Sequence, residues 1–216
     1  NIATYIDGVY QQATLAAYYN LPDVQEVEVL KGPQGTLFGR NATGGALLIT
    51  TMSPNLTHVT GSIKVGGGNF GDYYVKGFIS APLIQDKLAV SLSIYDEHTD
   101  GWITNILTNQ RYSPIDSILA RAKVRFDPWE GADFVLEASY SHVSDFASLK
   151  DSNLNGNNIQ TTIFACPGGV PAPGCVTQSE VASKPWTYSS LINPYLKPTV
   201  ESVSLHGNIR LGPGKI

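Results

Sequence analysis

The chain has 216 residues, of which 42% are apolar and 15% charged, and 14 Lys and Arg against 18 Asp and Glu give it a net charge of −4. This length allows one or two domains with a sizeable core. The mild acidity argues against a nucleic-acid-binding protein, which normally carries a basic surface. No apolar run is long enough for a membrane-spanning helix, and the first residues do not resemble a signal peptide. The many glycines and aromatic residues favour ordered β structure.

The first part of the chain, up to about residue 55, is compact and rich in turn residues. Short β-branched runs at 24–30 and 46–51 flank the segment 32–39, which is dense in glycine and includes a proline. Helical periodicity is weak here, so we expect short strands, tight turns and a helical turn or two. The pattern predicts a small mixed α/β unit over residues 1–55.

From about residue 60 onward, apolar and polar residues alternate with a period of two, which indicates antiparallel β strands. In the clearest run, 117–126, small and apolar residues such as Ala122 and Val124 share one face and the cations share the other. We therefore predict that 56–216 is an antiparallel β domain. The six predicted strands are 62–66, 73–81, 88–95, 117–126, 134–141 and 203–211.

The connections between these strands differ in length on the two sides of the sheet. One side has tight turns, at 82–87, 127–132 and 212–215. On the other side the first connection, 66–72, is short, but 96–116 and 145–199 are long. This asymmetry is typical of outer-membrane barrels, whose strands of 8–11 residues can cross a bilayer when tilted. A soluble antiparallel β sandwich is the alternative.

The charged residues indicate which face of the strands is in contact with a polar environment. A cation facing lipid near the midplane costs about 2–4 kcal/mol, and 117–126 places three cations on one face, so this face should line a polar lumen. Phe126, Trp129 and Phe134 would then form an aromatic girdle at the tight-turn side. The residues expected to face the lumen are Arg121, Lys123, Arg125, Glu137 and Arg210.

Other motifs point to no catalytic site. The acidic and histidine-containing run 96–100 could bind a hard cation, but we interpret it as a solvated loop. The segment 66–71 satisfies the G-x-G-x-x-G pattern, yet a strand is expected after it instead of a helix, which favours a Gly-rich hairpin turn. We expect no enzymatic activity, no metal site and no cofactor.

The two cysteines, Cys166 and Cys175, lie within the longest connection. A disulfide between them would close a small loop, and the oxidising periplasm makes such a bridge plausible in an outer-membrane protein. Two cysteines alone do not complete a tetrahedral metal site.

The amino-terminal region carries a resemblance to a known family. Residues 5–10 read Tyr-Ile-Asp-Gly-Val-Tyr, and residues 27–46 read Val-Glu-Val-Leu-Lys-Gly-Pro-Gln-Gly-Thr-Leu-Phe-Gly-Arg-Asn-Ala-Thr-Gly-Gly-Ala. About 50 residues resemble the plug domain of TonB-dependent outer-membrane receptors, with Lys31 in place of the usual Arg and Met-Ser-Pro at 52–54 in place of the usual exit. The motif residues are Asp7, Gly8, Glu28, Lys31, Gly32, Pro33, Gly35, Gly39, Arg40, Gly44 and Gly45.

The resemblance implies a mixed α/β plug inside a large barrel of about 22 strands, of which this chain would supply about six. Six strands cannot close, and open edges cannot sit in hydrocarbon, so we expect a fragment of a longer protein. The implied parent lies in the outer membrane of a Gram-negative bacterium. There it would take up a scarce nutrient, above all a ferric siderophore, powered by the inner-membrane TonB complex. A passive porin-like barrel and a soluble β-sandwich binding module are the alternatives.

The family also suggests roles for individual residues. In TonB-dependent receptors, plug charges pair with barrel residues and hold the plug closed, and we assign this role as a hypothesis to Glu28, Lys31 and Arg40. Their partners are expected among the lumen-facing charges or on strands beyond this chain. Aromatic residues of the long loops could contact the ligand: Trp102, Tyr112, Trp186 and Tyr188.

Overall fold

A computed structural model describes residues 2–11, 21–39, 42–105, 109, 111–112, 114–145, 187–188 and 197–210. These residues form three β sheets and one short helix. Within the described ranges, no helix has the length and apolar character needed to cross a membrane.

The N-terminal sheet has four strands and contains one helical turn between its last two strands. It consists of β1 (Ile2–Ile6), β2 (Val9–Gln11), β3 (Val24–Lys31), α1 (Gly35–Phe38) and β4 (Gly45–Thr51). The strand order is β2-β1-β4-β3, with β1 and β4 parallel and the other neighbours antiparallel. Apart from the single helical turn α1, all regular secondary structure in this unit is β strand. This arrangement confirms the predicted fold class.

The hairpin between β1 and β2 follows directly from the dipeptide Asp7-Gly8. Both residues have positive φ angles, 46° and 78°, as a two-residue hairpin turn of the primed type requires. Asp and Gly are the residues that tolerate this conformation best. The turn pairs Ile6 with Val9 and leaves the carboxylate of Asp7 at the end of β1.

The rest of the chain contains nine strands among the described residues. They are β5 (Thr60–Gly67), β6 (Tyr73–Ile84), β7 (Leu88–Thr99), β8 (Ile103–Asn105), β9 (Arg111–Tyr112), β10 (Ile115–Phe126), β11 (Ala132–Asp145), β12 (Thr187–Tyr188) and β13 (Thr199–Ile209). Six of them form one antiparallel sheet, the six-stranded sheet, in the order β13-β11-β10-β7-β6-β5. All six predicted strands are present, and the sheet is open, with β5 and β13 at its edges.

Several strands extend beyond their predicted boundaries. β6 continues through Pro82 to Ile84, and its register with β7 shifts between these two residues, a bulge of the kind that accommodates proline in a strand. The connection expected at 96–116 is shorter, because β7 runs to Thr99 and β10 begins at Ile115. β13 likewise lies earlier than the predicted 203–211. Polar residues at the strand ends interrupt the alternation of apolar and polar residues in the sequence, although the backbone pairing of the strands continues through them.

The short strands β8, β9 and β12 form a third sheet, in the order β12-β8-β9. It lies on the side of the long connections, opposite the end of the six-stranded sheet that carries the turns at 85–87 and 127–131, which we call the tight-turn end. The Gly-rich segment 66–71 leads from β5 into β6, which confirms a hairpin turn.

The two faces of the six-stranded sheet differ. On one face, exposed apolar side chains follow the ladder from strand to strand, as in the row Leu92, Ala122, Ala138 and Val203. The other face packs against the N-terminal sheet. There Tyr95 and Leu119, each 2% exposed, join a core with three residues of the first 49: Ile6, Leu21 and Ile49. The N-terminal sheet therefore sits on the polar face of the six-stranded sheet.

Candidate functional site

Two cations of β10 reach from the six-stranded sheet into the N-terminal sheet. Arg121 and Lys123 are each only 4% exposed, and they lie on the inner face because they alternate with the outward residues of β10. Arg121 Nη1 donates to Asp23 Oδ1 at 2.8 Å, and Lys123 Nζ donates to Asp7 Oδ2 at 2.9 Å. Both ion pairs therefore join the two sheets directly.

A third carboxylate, Glu137 of β11, completes the group. Glu137 is the register partner of Lys123, and its Oε2 lies 3.3 Å from Lys123 Nζ. Its Oε1 lies 3.2 Å from Arg121 Nε, but Nε makes no hydrogen bond to any described residue, so this contact is ionic. We call Asp7, Asp23, Arg121, Lys123 and Glu137 the ion cluster. Its three carboxyl groups surround two cations.

Buried hydroxyl groups satisfy the remaining carboxylate oxygens. Ser93 Oγ donates to Asp23 Oδ2 at 2.7 Å. Thr51 donates twice to Asp7, from its backbone N to Oδ1 at 2.8 Å and from its Oγ1 to Oδ2 at 2.5 Å, and it also accepts from Lys123 Nζ. Such bonds matter because a buried charge is tolerated only when it is paired and hydrogen-bonded.

The topology of the N-terminal sheet explains why these groups meet. Because β1 and β4 are parallel and β3 is antiparallel to β4, the ends of β1 and β4 and the start of β3 share one edge of the sheet. Asp7 follows β1, Thr51 ends β4 and Asp23 precedes β3. The backbone bond from Met52 N to Asp23 O, 2.7 Å long, holds this edge together.

The electrostatics of Asp7 favour its charged form. Burial by itself would raise the pKa of Asp7, but the two hydrogen bonds from Thr51 and the ammonium group of Lys123 outweigh it. The pKa of Asp7 therefore lies below its ordinary value of 3.8. At neutral pH the carboxylate is ionised, and its attraction to Lys123 holds the two sheets together.

Residues 1–46 match the family model described as the TonB-dependent Receptor Plug Domain. The pesticin receptor of Yersinia pestis is 34% identical to the chain over 134 residues, which cover 60% of this chain and 20% of that receptor. Residues 1–46 therefore belong to the plug-domain family of the TonB-dependent receptors. Another relative, the catecholate siderophore receptor Fiu of Escherichia coli K12, is 28% identical over 116 residues, 53% of this chain and 14% of Fiu. The chain thus spans a fifth or less of the length of these curated relatives.

Solved structures show the same fold. The ferric yersiniabactin uptake receptor FyuA from Yersinia pestis matches with a TM-score of 0.70 at 22% identity, over 98% of this chain and 30% of FyuA. FpvA from Pseudomonas aeruginosa, solved with bound heterologous pyoverdines, matches with a TM-score of 0.69 at 14% identity, over 98% of this chain and 26% of FpvA. In this receptor segment the N-terminal sheet is part of the plug and the six-stranded sheet is the first part of the barrel.

The ion cluster contains other charged residues of the N-terminal region than those named in the sequence hypothesis. Asp7 and Asp23 occupy the positions beside Arg121 and Lys123. Glu28 and Lys31 are exposed, and neither pairs with a described charge of the six-stranded sheet. Arg40 lies outside the described residues. The sequence analysis did not identify Asp23. The one sequence signal for this residue is its position directly before the β-branched run at 24–30.

Other motif and lumen-facing residues are placed as follows. Gly45 has a φ of +145°, and a Cβ there would lie 2.4 Å from the Leu30 carbonyl oxygen, so this position accepts no side chain. Arg125 pairs with Asp127 through two bonds of 3.0 and 2.8 Å outside the ion cluster. Arg210 is exposed, and its backbone N donates to Gly131 O at 2.7 Å.

The predicted ligand residues are placed only in part. Trp102, 40% exposed, directly precedes β8, and the backbones of Tyr112 and Tyr188 lie on the strands flanking β8. Trp186 and the two cysteines lie outside the described residues. In the run 96–100, His98 Nδ1 lies 2.5 Å from Asp116 Oδ1, and the described residues contain no group of three or more His, Cys, Asp or Glu suited to a metal.

Proposed function

We propose that this chain is the later plug and the first barrel strands of an outer-membrane receptor that imports a ferric siderophore. The observation that carries the proposal is the ion cluster. It fixes the N-terminal sheet to the polar face of the barrel strands by two buried pairs, Asp23 with Arg121 and Asp7 with Lys123. A pore that conducts passively needs no domain held across its lumen in this way, so the porin-like alternative is disfavoured.

The energetics of the cluster suit an energised transporter. Removing one partner of a buried ion pair costs about 3–5 kcal/mol, so displacing the plug from two such pairs requires work. We infer that the TonB complex of the inner membrane supplies this work from the proton-motive force. The outer membrane of a Gram-negative bacterium is the location that fits both this partner and the exposed apolar outer face.

The ligand class is inferred from the relatives. Their names describe a catecholate siderophore receptor and a ferric yersiniabactin uptake receptor, both of which handle chelated iron. We propose a ferric chelate as the ligand of this receptor too, bound at the side of the long connections. Trp102, Tyr112, Trp186 and Tyr188 remain the aromatic candidates for its contacts, and a disulfide between Cys166 and Cys175 would shape the same side.

We also propose that the plug ends near Asn55. Pro54 is fully buried, and the backbone N of Asn55 donates to Ser80 Oγ of β6 at 2.7 Å. The side chain of Asn55 then accepts from the backbone N of Thr57 at 2.8 Å, which forms a tight turn before β5. The barrel domain would follow from residue 56.

The direct test is uptake by the full-length receptor in a strain that lacks other siderophore receptors. Cells would receive radioactive iron as ferrioxamine B or as a ferric catecholate, with cobalamin and haem as comparison ligands. The proposal predicts accumulation of at least one ferric chelate that stops when TonB is deleted. Uptake that persists without TonB would support the passive porin, and uptake of cobalamin or haem alone would contradict the ferric-siderophore assignment.

A further inference from the structure

The third sheet is joined to the six-stranded sheet through two short interruptions of the strands. β7 ends at Thr99 and β8 begins at Ile103, and β9 ends at Tyr112 before β10 begins at Ile115. In the first interruption Gly101 has a φ of 85°, which glycine adopts more easily than any other residue. Within the described strands the two sheets share no ladder, so the third sheet can tilt about these two segments.

A chain of polar contacts crosses the first interruption on the outer face. Asp100 lies at its centre: its Oδ1 is 3.5 Å from His98 Nε2 at the end of β7, and its Oδ2 is 3.5 Å from Arg111 Nη1 of β9. His98 Nδ1 in turn lies 2.5 Å from Asp116 Oδ1 of β10. We call His98, Asp100, Arg111 and Asp116 the rim latch. It connects two strands of the six-stranded sheet to one strand of the third sheet.

Phe70, in the turn between β5 and β6, contacts two residues of the rim latch. Its φ is 64°, which is rare for an aromatic residue and persists only where surrounding contacts hold it. Its carbonyl oxygen accepts a hydrogen bond from Asp100 N at 2.9 Å, and its ring centre lies 5.6 Å from the guanidinium carbon of Arg111. The conformation of this turn and the position of β9 are therefore coupled.

His98 is held on the outer face beyond the apolar part of β7. The outward residues of β7 change from Ile94 to Asp96 and then His98. The ring of His98 stacks on Tyr73 of β6, with the two ring centres 5.4 Å apart. The titratable and charged groups around the imidazole are Tyr73 from β6, Asp116 from β10, Arg111 from β9, and Asp96 and Asp100 from its own part of the chain.

The rim latch needs a protonated imidazole. The neutral ring has one N–H and can donate to one carboxylate only, whereas the imidazolium has two N–H donors and can hold Asp116 and Asp100 together. The hydrogen bond with Asp116 and the charges of both carboxylates raise the pKa of His98 above its ordinary value of 6.5. The latch is therefore complete below pH 6.5 and is lost as the pH rises through the raised pKa. Asp100 is the partner released, because its contact is the longer one.

The contacts of the rim latch are individually weak. Its four side chains are between 35% and 59% exposed, and exposed ion pairs contribute little to stability and are screened by salt. A weak link suits a switch, because the loss of one proton is then enough to change the balance between a held and a released third sheet.

We propose that the rim latch is a pH-operated fastening, which holds the third sheet outward at acidic pH and releases it when His98 loses its proton. The inference goes beyond the proposed function, because it concerns the side of the long connections and holds for any ligand. The latch lies on the outer face, so a released third sheet can tilt toward the lumen. Trp102 directly follows Gly101, and the backbones of Tyr112 and Tyr188 lie on the moving strands, so these aromatic candidates would change position together.

The distance between two spin labels tests the latch in the full-length receptor with Cys166 and Cys175 replaced by serine. Thr104→Cys places one label on β8, and Lys87→Cys places the other at the tight-turn end. In the control pair, Lys87→Cys with Ser144→Cys, the second label lies on β11 instead. Pulsed electron paramagnetic resonance measures both distances in lipid vesicles at about pH 5 and about pH 9, on either side of the imidazole titration.

The latch predicts that the 87–104 distance shifts at the higher pH. The ratio of released to held third sheet should increase about two- to fivefold, as expected when one exposed charged contact is lost. The 87–144 distance should not change. An unchanged 87–104 distance, or an equal shift of both distances, would overturn the latch.

Three substitutions assign the shift to its residues. His98→Gln cannot be protonated and should make the 87–104 distance independent of pH. Arg111→Gln should give the released distance at both pH values. The matched control is His142→Gln, which should preserve the shift, because His142 lies on the same outer face but has Thr199 Oγ1 as its partner, 2.8 Å from its Nδ1. A shift that persists in His98→Gln, a shift lost in His142→Gln, or a held third sheet in Arg111→Gln would contradict the proposal.

Discussion

Arg121 Nη1 and Asp23 Oδ1 lie 2.8 Å apart, although 98 residues separate them in the chain, and both side chains are almost completely buried. This pair is the shortest ionic link between the N-terminal sheet and β10. It joins the turn before β3 to strand β10 of the six-stranded sheet.

The first prediction concerns this pair. Asp23→Asn should destabilise the full-length receptor by about 3–5 kcal/mol, because Arg121 loses its nearest charge partner in a buried site. Because Glu137 still attracts Arg121 in this variant, the expected loss of stability lies toward the lower end of this range. Denaturant unfolding of the purified receptor measures the change. Glu26→Gln is the matched control on exposed β3, and an equal effect of both substitutions would argue against a buried pair.

The second prediction is a pH dependence. Because the folded-state pKa of Asp7 lies below 3.8, its stabilising contribution is fully present above that value and is lost as the pH falls through the lowered pKa. The contribution of Asp7 to the association of the plug with the barrel should therefore be fully present above 3.8 and should weaken below that value. Protease sensitivity of the plug as a function of pH measures this. Asp7→Asn should remove this component of the acid transition, and an unchanged transition in that variant would contradict the role of Asp7.

The third prediction concerns the plug motif. Gly45→Ala should destabilise the N-terminal sheet, because a Cβ at this position would lie 2.4 Å from Leu30 O and the φ of +145° disfavours any side chain. Gly35→Ala is the control, since nothing lies within 4 Å of the Cβ it would add. Thermal unfolding of the receptor should show a lower transition for the first variant and little change for the second. A well-tolerated alanine at position 45 would mean that β3 and β4 pair differently.

The fourth prediction distinguishes the two faces of the six-stranded sheet. Val124→Arg should cost about 2–4 kcal/mol, because it places a cation on the lipid-facing side, whereas Ser62→Arg on the inner face should cost little. Assembly of the receptor in lipid vesicles, followed by denaturant titration, compares them. Equal tolerance of arginine at both positions would mean that the outward face is not in contact with lipid.

The strands of the barrel could be predicted from the sequence because their alternation is local. Arg121 and Lys123 stand out against the apolar residues of β10, and a cation on that face already requires a polar lumen. The strand ends could not be predicted, since residues such as His98 and Asp116 extend the backbone ladder while breaking the apolar pattern.

The partners of these cations were beyond the reach of the sequence. Asp23 lies in a turn, where the sequence shows no regular alternation of apolar and polar residues. Its position beside Arg121 depends on the parallel pairing of β1 with β4, which brings distant strand ends together. Asp7 was marked by its family motif, but only the fold shows that its carboxylate meets Lys123.

The most direct test of the account is a thiol cross-link between Asp23→Cys and Ser93→Cys in the full-length receptor, with Cys166 and Cys175 replaced by serine. The native side chains are hydrogen-bonded at 2.7 Å between the N-terminal sheet and β7, so a short bifunctional thiol reagent should span the two cysteines. The account predicts that the cross-link forms in isolated outer membranes and that Glu26→Cys with Ser93→Cys forms none. If the 23–93 cross-link fails to form, or if 26–93 forms equally well, the plug does not lie against the barrel as described.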